Sequence, residues 1–153
     1  MADLNEKAWI MALVGGILGI IAVFTPMSMY IGPGGFFGIF TFGVYIGVGG
    51  GVDFGVIDIQ FVIIGSIISL LLIAFAIMLL ITAIVGKKSS GKAIPILWIV
   101  SGVFLILIPT FSIIFSLIIA PFLIIDYWIG PALIIPYIAA SLSIFSAIIK
   151  LRR

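Results

Sequence analysis

Four stretches of about 20 residues or more, none containing Asp, Glu, Lys or Arg, constrain this chain more than any other feature. They run from Ala8 to Tyr30, from Phe61 to Val85, from Pro95 to about Ala120, and from Pro131 to Ile149. A helix rises about 1.5 Å per residue, so about 20 apolar residues cross the roughly 30 Å hydrocarbon core of a bilayer. The composition agrees: 65% of residues are hydrophobic and 8% charged, against roughly 45 to 50% and about 25% in soluble domains. The expectation is an all-α membrane protein with a single domain, 1–153. Its spans are about 8–30, 61–85, 95–120 and 131–149, joined by outer loops 31–60 and 121–130 and an inner loop 86–94.

The flanks support these limits. Trp9 and Tyr30 sit at the two ends of the first run, where amphipathic rings prefer the headgroup level. The second run stops at Gly86, Lys87 and Lys88, and the third opens on Pro95, a favoured first-turn residue. The flank before the first run carries Asp3 and Glu6 against Lys7, and no small-x-small site follows, so the run reads as a retained anchor and not a cleaved signal.

Lys and Arg in short flanking loops stay on the cytoplasmic side. With four crossings, Lys7, Lys87, Lys88, Lys92, Lys150, Arg152 and Arg153 all fall on one side, while Asp53, Asp58 and Asp126 fall on the other. This predicts a multi-pass protein of the cell membrane with both termini in the cytoplasm.

Residues 35–52 allow two readings. Gly43, Gly47 and Gly51 lie four apart, as on a small-residue helix face, which would make a fifth span or a re-entrant segment. Ten of the 25 residues from Ile31 to Gly55 are Gly, however, and each costs a helix roughly 1 kcal/mol relative to Ala. Phe40, Phe42, Val44, Ile46 and Val48 also alternate with Thr41, Gly43, Tyr45 and Gly47, which is strand patterning. With Gly49 to Gly51 as a turn and Val52 to Ile59 as a return strand, the loop becomes a Gly/Phe-rich extracellular β-hairpin.

Lipid tails are as apolar as Leu, so spanning helices associate through small residues and shape. Each run carries such residues alternately four and three apart. The first has Ala8, Ala12, Gly15, Gly19, Ala22 and Pro26, and the second Gly65, Ser69, Ala76 and Ala83. The third has Gly102, Pro109, Ser112 and Ser116, and the last Ala132, Pro136, Ala139, Ser143 and Ser146. A 3.5-residue repeat on every helix predicts a left-handed four-helix bundle.

Chemistry is hard to place on this chain. It has no Cys and no His, so thiol nucleophiles, disulfides and the usual zinc sites are excluded. No charged side chain lies within a span, although proton relays and ion-coupled carriers require them. The three outer carboxylates read as solvated loop charges, so neither a metal nor a cofactor is expected. The inner Lys and Arg collar fits topology and contact with anionic lipid, without nucleic acid.

The first outer loop is unusual for a free surface, since Phe36, Phe37, Phe40, Phe42, Tyr45 and Phe54 share it with only two charges. Contiguous exposed apolar area marks an interaction site. The loop either meets a partner or folds down over the bundle mouth. The expected function is that of a non-enzymatic protein acting by lateral association, with itself or as an accessory subunit of a membrane complex. The alternative is an uncoupled pore whose outer carboxylates, repeated over several copies, select cations.

Four spans, a short basic inner loop, a larger strand-bearing outer loop one and a short outer loop two resemble the claudin and peripheral-myelin-protein superfamily of tetraspan proteins. That resemblance implies self-association through the outer loop and no catalysis. The family's Trp, Gly-Leu-Trp and paired Cys signature is missing: the corresponding stretch here reads Gly34, Gly35, Phe36, Phe37, Gly38.

Overall fold

A computed structural model describes residues 2–33, 35–42, 44–49, 51–56, 59–88, 91–119 and 128–152. Helix α1 spans Ala2–Val23 and is followed by four strands, β1 Pro26–Gly32, β2 Gly35–Phe40, β3 Val44–Val48 and β4 Val52–Val56. Helices α2, Ile59–Gly86, and α3, Ala93–Ile119, come next, then the short strand β5, Trp128–Ile129, and helix α4, Pro131–Leu151. The segments Val62–Gly86, Ala93–Phe115 and Pro131–Leu151 are each long and apolar enough to cross a membrane, and Lys7–Val23 is a shorter apolar helix. These lengths point to an integral membrane protein.

The four helices form a ring in which α1 and α3 each pack on both α2 and α4. Three hydrogen bonds align one end of it. Ser146 Oγ donates to the Ala8 carbonyl, Ser143 Oγ donates to the Trp98 carbonyl at 2.6 Å, and Lys150 Nζ donates to the Gly86 carbonyl at 3.2 Å. At the other end Thr110 Oγ1 and Tyr137 Oη lie 2.8 Å apart.

The faces that meet are those with small residues. Ala8, Ala12, Gly15, Gly19 and Ala22 are buried on α1, as are Gly65, Ser69, Leu72, Ala76, Leu79 and Ala83 on α2. Ser112 on α3 and Ala139 and Ser143 on α4 are buried as well, whereas the side chain of Ser116 lies outside the described residues. A Cβ added at Gly15 would come within 2.8 Å of the Ala139 carbonyl oxygen, and one at Gly19 within 2.9 Å of the Ala76 Cβ. The outward faces carry Ile10, Val14, Ile17 and Ile21 on α1 and Ile63, Ile67, Leu70 and Ile77 on α2, all exposed. A large exposed aliphatic surface over a core of small residues inverts the soluble pattern and suits a hydrocarbon solvent.

The first run does not remain helical to Tyr30. The helix ends at Val23, the Phe24 and Thr25 amides turn back to Ile21 and Ala22, and Pro26 opens β1. Proline offers no amide hydrogen and pushes the preceding residue towards extended geometry, so Pro26 is a strand residue and not part of the helix-packing stripe. The alternative of a fifth span is likewise replaced: residues 35–56 are strands and turns wherever they are described.

The strands form an antiparallel sheet in the order β4-β3-β2-β1-β5. This is larger than the expected hairpin, and the strand read from Phe40 to Val48 is interrupted at Thr41 and Phe42, where β2 turns into β3. β5 joins through Ser28 to Ile129 and Met29 to Trp128, and the Gly130 amide donates to the Met27 carbonyl at 2.8 Å. Any side chain at Gly130 would run into the Pro26 carbonyl. Glycine there lets the segment before α4 close on the sheet.

Candidate interaction surface

Directly paired residues of an antiparallel sheet project to the same side, so the register sorts the sheet into two faces. The face bearing Ser28, Ile39 and Tyr45 rests on the helix ends. Ile39 and Met27 form a small core with Ala132 and Leu133 of α4, flanked by Phe37, Tyr45 and Ile113 of α3. The β2–β3 turn also reaches α2, where any side chain at Gly65 would collide with the Thr41 carbonyl. Gly65, expected as a helix-packing residue, therefore makes room for the sheet.

The opposite face is built from two rows that cross four strands. One is Ile31, Phe36, Val48 and Val52, and the other Met29, Gly38, Ile46 and Phe54. Neither row holds a charged residue. Ile31 is 68% exposed, Phe54 66% and Val52 61%.

Glycine and aromatic residues are matched across the strands. Phe37 pairs with Gly47, and Tyr45 pairs with Gly55. The Tyr45 ring lies over Gly55, and the Phe36 ring lies over Gly38. Phe37 and Tyr45 stack with ring centroids 5.1 Å apart. A ring laid flat across a strand needs a neighbour without a side chain, and it covers the backbone that glycine would leave bare. This pairing accounts for the loop's content of both residue types.

The six aromatic residues singled out in this loop do not form one patch. Phe36 and Phe54 are on the outward face, and Phe37 and Tyr45 are on the bundle side. Phe40 and Phe42 stack on each other at 5.5 Å and are half-buried beside the turn that meets α2. The outward surface also includes the aliphatic residues Ile31, Val48 and Val52. The signal for them lay in the alternation of Val52, Phe54 and Val56, read together with pairing about the Gly49 to Gly51 turn.

The two ends of the molecule differ in charge. Lys7, Lys87, Lys88, Lys92, Lys150 and Arg152 all lie at the helix ends remote from the sheet. There Lys87 Nζ sits 4.9 Å from the centroid of the Trp9 ring. Asp53 is exposed on β4, whereas Asp58, Asp126 and Arg153 lie outside the described residues. Among the described residues, no three His, Cys, Asp or Glu side chains cluster to hold a metal ion. Leu72, Leu79, Leu105 and Ile108 are buried in the bundle core, which gives the middle of a single bundle an apolar filling. Ser69 Oγ and Trp98 Nε1 are buried without a hydrogen-bond partner. No protein-family model matches the chain, and no curated protein matches it in sequence.

Proposed function

We propose that this chain is a multi-pass protein of the cell membrane that works by lateral association and not by catalysis, its outward sheet face meeting a second copy or another membrane protein. The carrying observation is the contiguous uncharged face formed by Ile31, Phe36, Ile46, Val48, Val52 and Phe54. Surfaces of this kind are rare on free monomers and mark contact sites. In this reading α1 is the fourth span, since the apolar helix Lys7–Val23 is at the short end of what a bilayer accepts. The bundle is left-handed, as the 3.5-residue repeat argues. The basic end faces the cytoplasm with both termini, and the sheet lies outside. A claudin-like relationship belongs to the same proposal. A strand-bearing segment between the first two helices supports it, and the missing Trp and Cys signature argues against a close one.

The test is to replace Val52 and Phe54 together with Ser and to follow oligomeric state and stability in the same samples by light scattering and detergent-resistant unfolding. Each apolar group is worth roughly 1.5 to 3 kcal/mol if an interface buries it. The expected result is loss of assembly by two orders of magnitude or more with unfolding unchanged. The same change at Phe40 and Phe42 should lower stability without altering the oligomer, because those rings pack within the chain. An assembly that survives the Val52 and Phe54 replacement refutes the reading.

A further inference from the structure

The face of the sheet that rests on the bundle also carries a row across four strands. Tyr30 pairs with Phe37, Phe37 with Gly47, and Gly47 with Asp53. The third position of this row has no side chain. A Cβ built there would lie 3.4 Å from the Phe37 ring and 3.8 Å from the Asp53 Cβ, so Gly47 is the floor of a gap between an aromatic ring and a carboxylate. The gap belongs to a cavity of about 420 Å³, completed by Gly35, Phe36, Val48 and Val52 and by Gly49 and Gly51 of the β3–β4 turn. That volume is within the range of small-ligand sites.

The chemistry of the lining is selective. Among the described residues, Asp53 is the only charged one on the cavity wall, and no Lys or Arg lines it. Aromatic faces carry negative quadrupole potential and attract cations lying over them. A carboxylate beside such rings makes the hollow attractive to positive charge. A hydrated divalent ion would need about six oxygen ligands, and this wall offers one carboxylate among apolar groups. A cation that carries its charge on an apolar surface meets both requirements.

We propose that the cavity between Tyr30, Phe37, Gly47 and Asp53 binds an alkylammonium group, a quaternary ammonium of the choline type fitting it best. The ring of Phe37 takes the cation on its face, and Asp53 balances the charge across the Gly47 floor. The same chemistry is offered by a free amine and by a lipid headgroup. The latter has a direct route, because this face of the sheet is the one turned towards the helix ends. Phe36, Val48 and Val52 belong to both the cavity wall and the association surface, whereas Phe37, Gly47 and Asp53 belong to the cavity alone.

The test uses the full chain in phosphatidylglycerol nanodiscs, titrated with tetramethylammonium chloride at constant ionic strength and followed by saturation-transfer NMR and calorimetry. Saturable binding is expected, with little competition from lithium chloride. Asp53→Asn and Phe37→Leu should each weaken it at least tenfold, and Gly47→Val should abolish it by filling the floor. Helix content and oligomeric state should stay unchanged in Asp53→Asn, which alters only an exposed side chain and keeps the test decisive if Gly47→Val misfolds. Weaker binding of the probe in phosphatidylcholine nanodiscs than in phosphatidylglycerol assigns the site to a lipid headgroup, and equal binding assigns it to a free amine. Lithium competing as well as tetramethylammonium, or unchanged binding in Asp53→Asn or Phe37→Leu, overturns the proposal, as does absence of binding in both lipids.

Discussion

The contact between α1 and α2 makes a quantitative prediction at Gly19. In an isolated helix Gly→Ala is favourable by roughly 1 kcal/mol. Here the new methyl would sit 2.9 Å from the Ala76 Cβ, and overpacking of a filled contact costs typically 1 to 3 kcal/mol. Gly19→Ala should therefore destabilise by about 1 kcal/mol net. Ala76→Gly alone loses about 1 kcal/mol of helix propensity and leaves a gap. Combined, the two changes move one methyl from α2 to α1, the propensity terms cancel, and the double variant should return close to the parent. The coupling between positions 19 and 76 is then at least about 2 kcal/mol in favour of the pair. Gly15 is the internal control, because its obstacle is the Ala139 carbonyl oxygen at 2.8 Å and not a side chain. Ala139→Gly removes nothing from that contact, so no comparable coupling is expected at 15 and 139. Reversible unfolding in mixed dodecyl-maltoside and SDS micelles, read by circular dichroism, measures both cycles. Additivity at 19 and 76 within about 0.5 kcal/mol, or equal coupling in both cycles, refutes a close helix contact at Gly19.

Three further outcomes follow from named contacts. Gly130→Ala should release β5 from β1 by driving a methyl into the Pro26 carbonyl, seen as faster amide exchange at Met27 to Met29 while the helices stay protected. Ser143→Ala should cost about 1 kcal/mol by leaving the buried Trp98 carbonyl without its hydroxyl donor, and Ser141→Ala, at an exposed site, should cost well under that in the same unfolding assay. Single cysteines at Lys88 or Arg152 should react with an impermeant thiol reagent only from the cytoplasmic face and one at Asp53 only from outside, and labelling of Lys88 and Asp53 from one side would contradict the proposed topology.

The helical part of this fold was legible because its signals are local. Charge-free length marks α2, α3 and α4, and a 3.5-residue spacing of Gly, Ala and Ser marks the faces that close helix on helix. Segregation of the six described cations to one end follows from the same linear pattern once the crossings are counted. Even the strand character of Val44 to Val48 could be read, since alternation is also a local property, whereas the turn at Thr41 and Phe42 that breaks the pattern could not.

What the chain does with those strands depends on partners distant in sequence. Pro26 reads as one more small residue in an apolar run, and only the closure of β1 on β2 shows why the helix stops at Val23. The Phe and Gly residues of the loop read as a patch and a turn, and the register turns them into ring-over-backbone pairs. It also sends Phe37 and Tyr45 to the bundle and Phe54 outward. β5 and Gly130 join the sheet across some 100 residues of chain, through a carbonyl contact that no side-chain pattern encodes. Local propensity thus decides which segments are helix and which are extended, because backbone and solvent act on each residue alone. The faces that meet, and the cavity at Gly47, are decided by tertiary pairing, because a cross-strand neighbour exists only after the chain has folded.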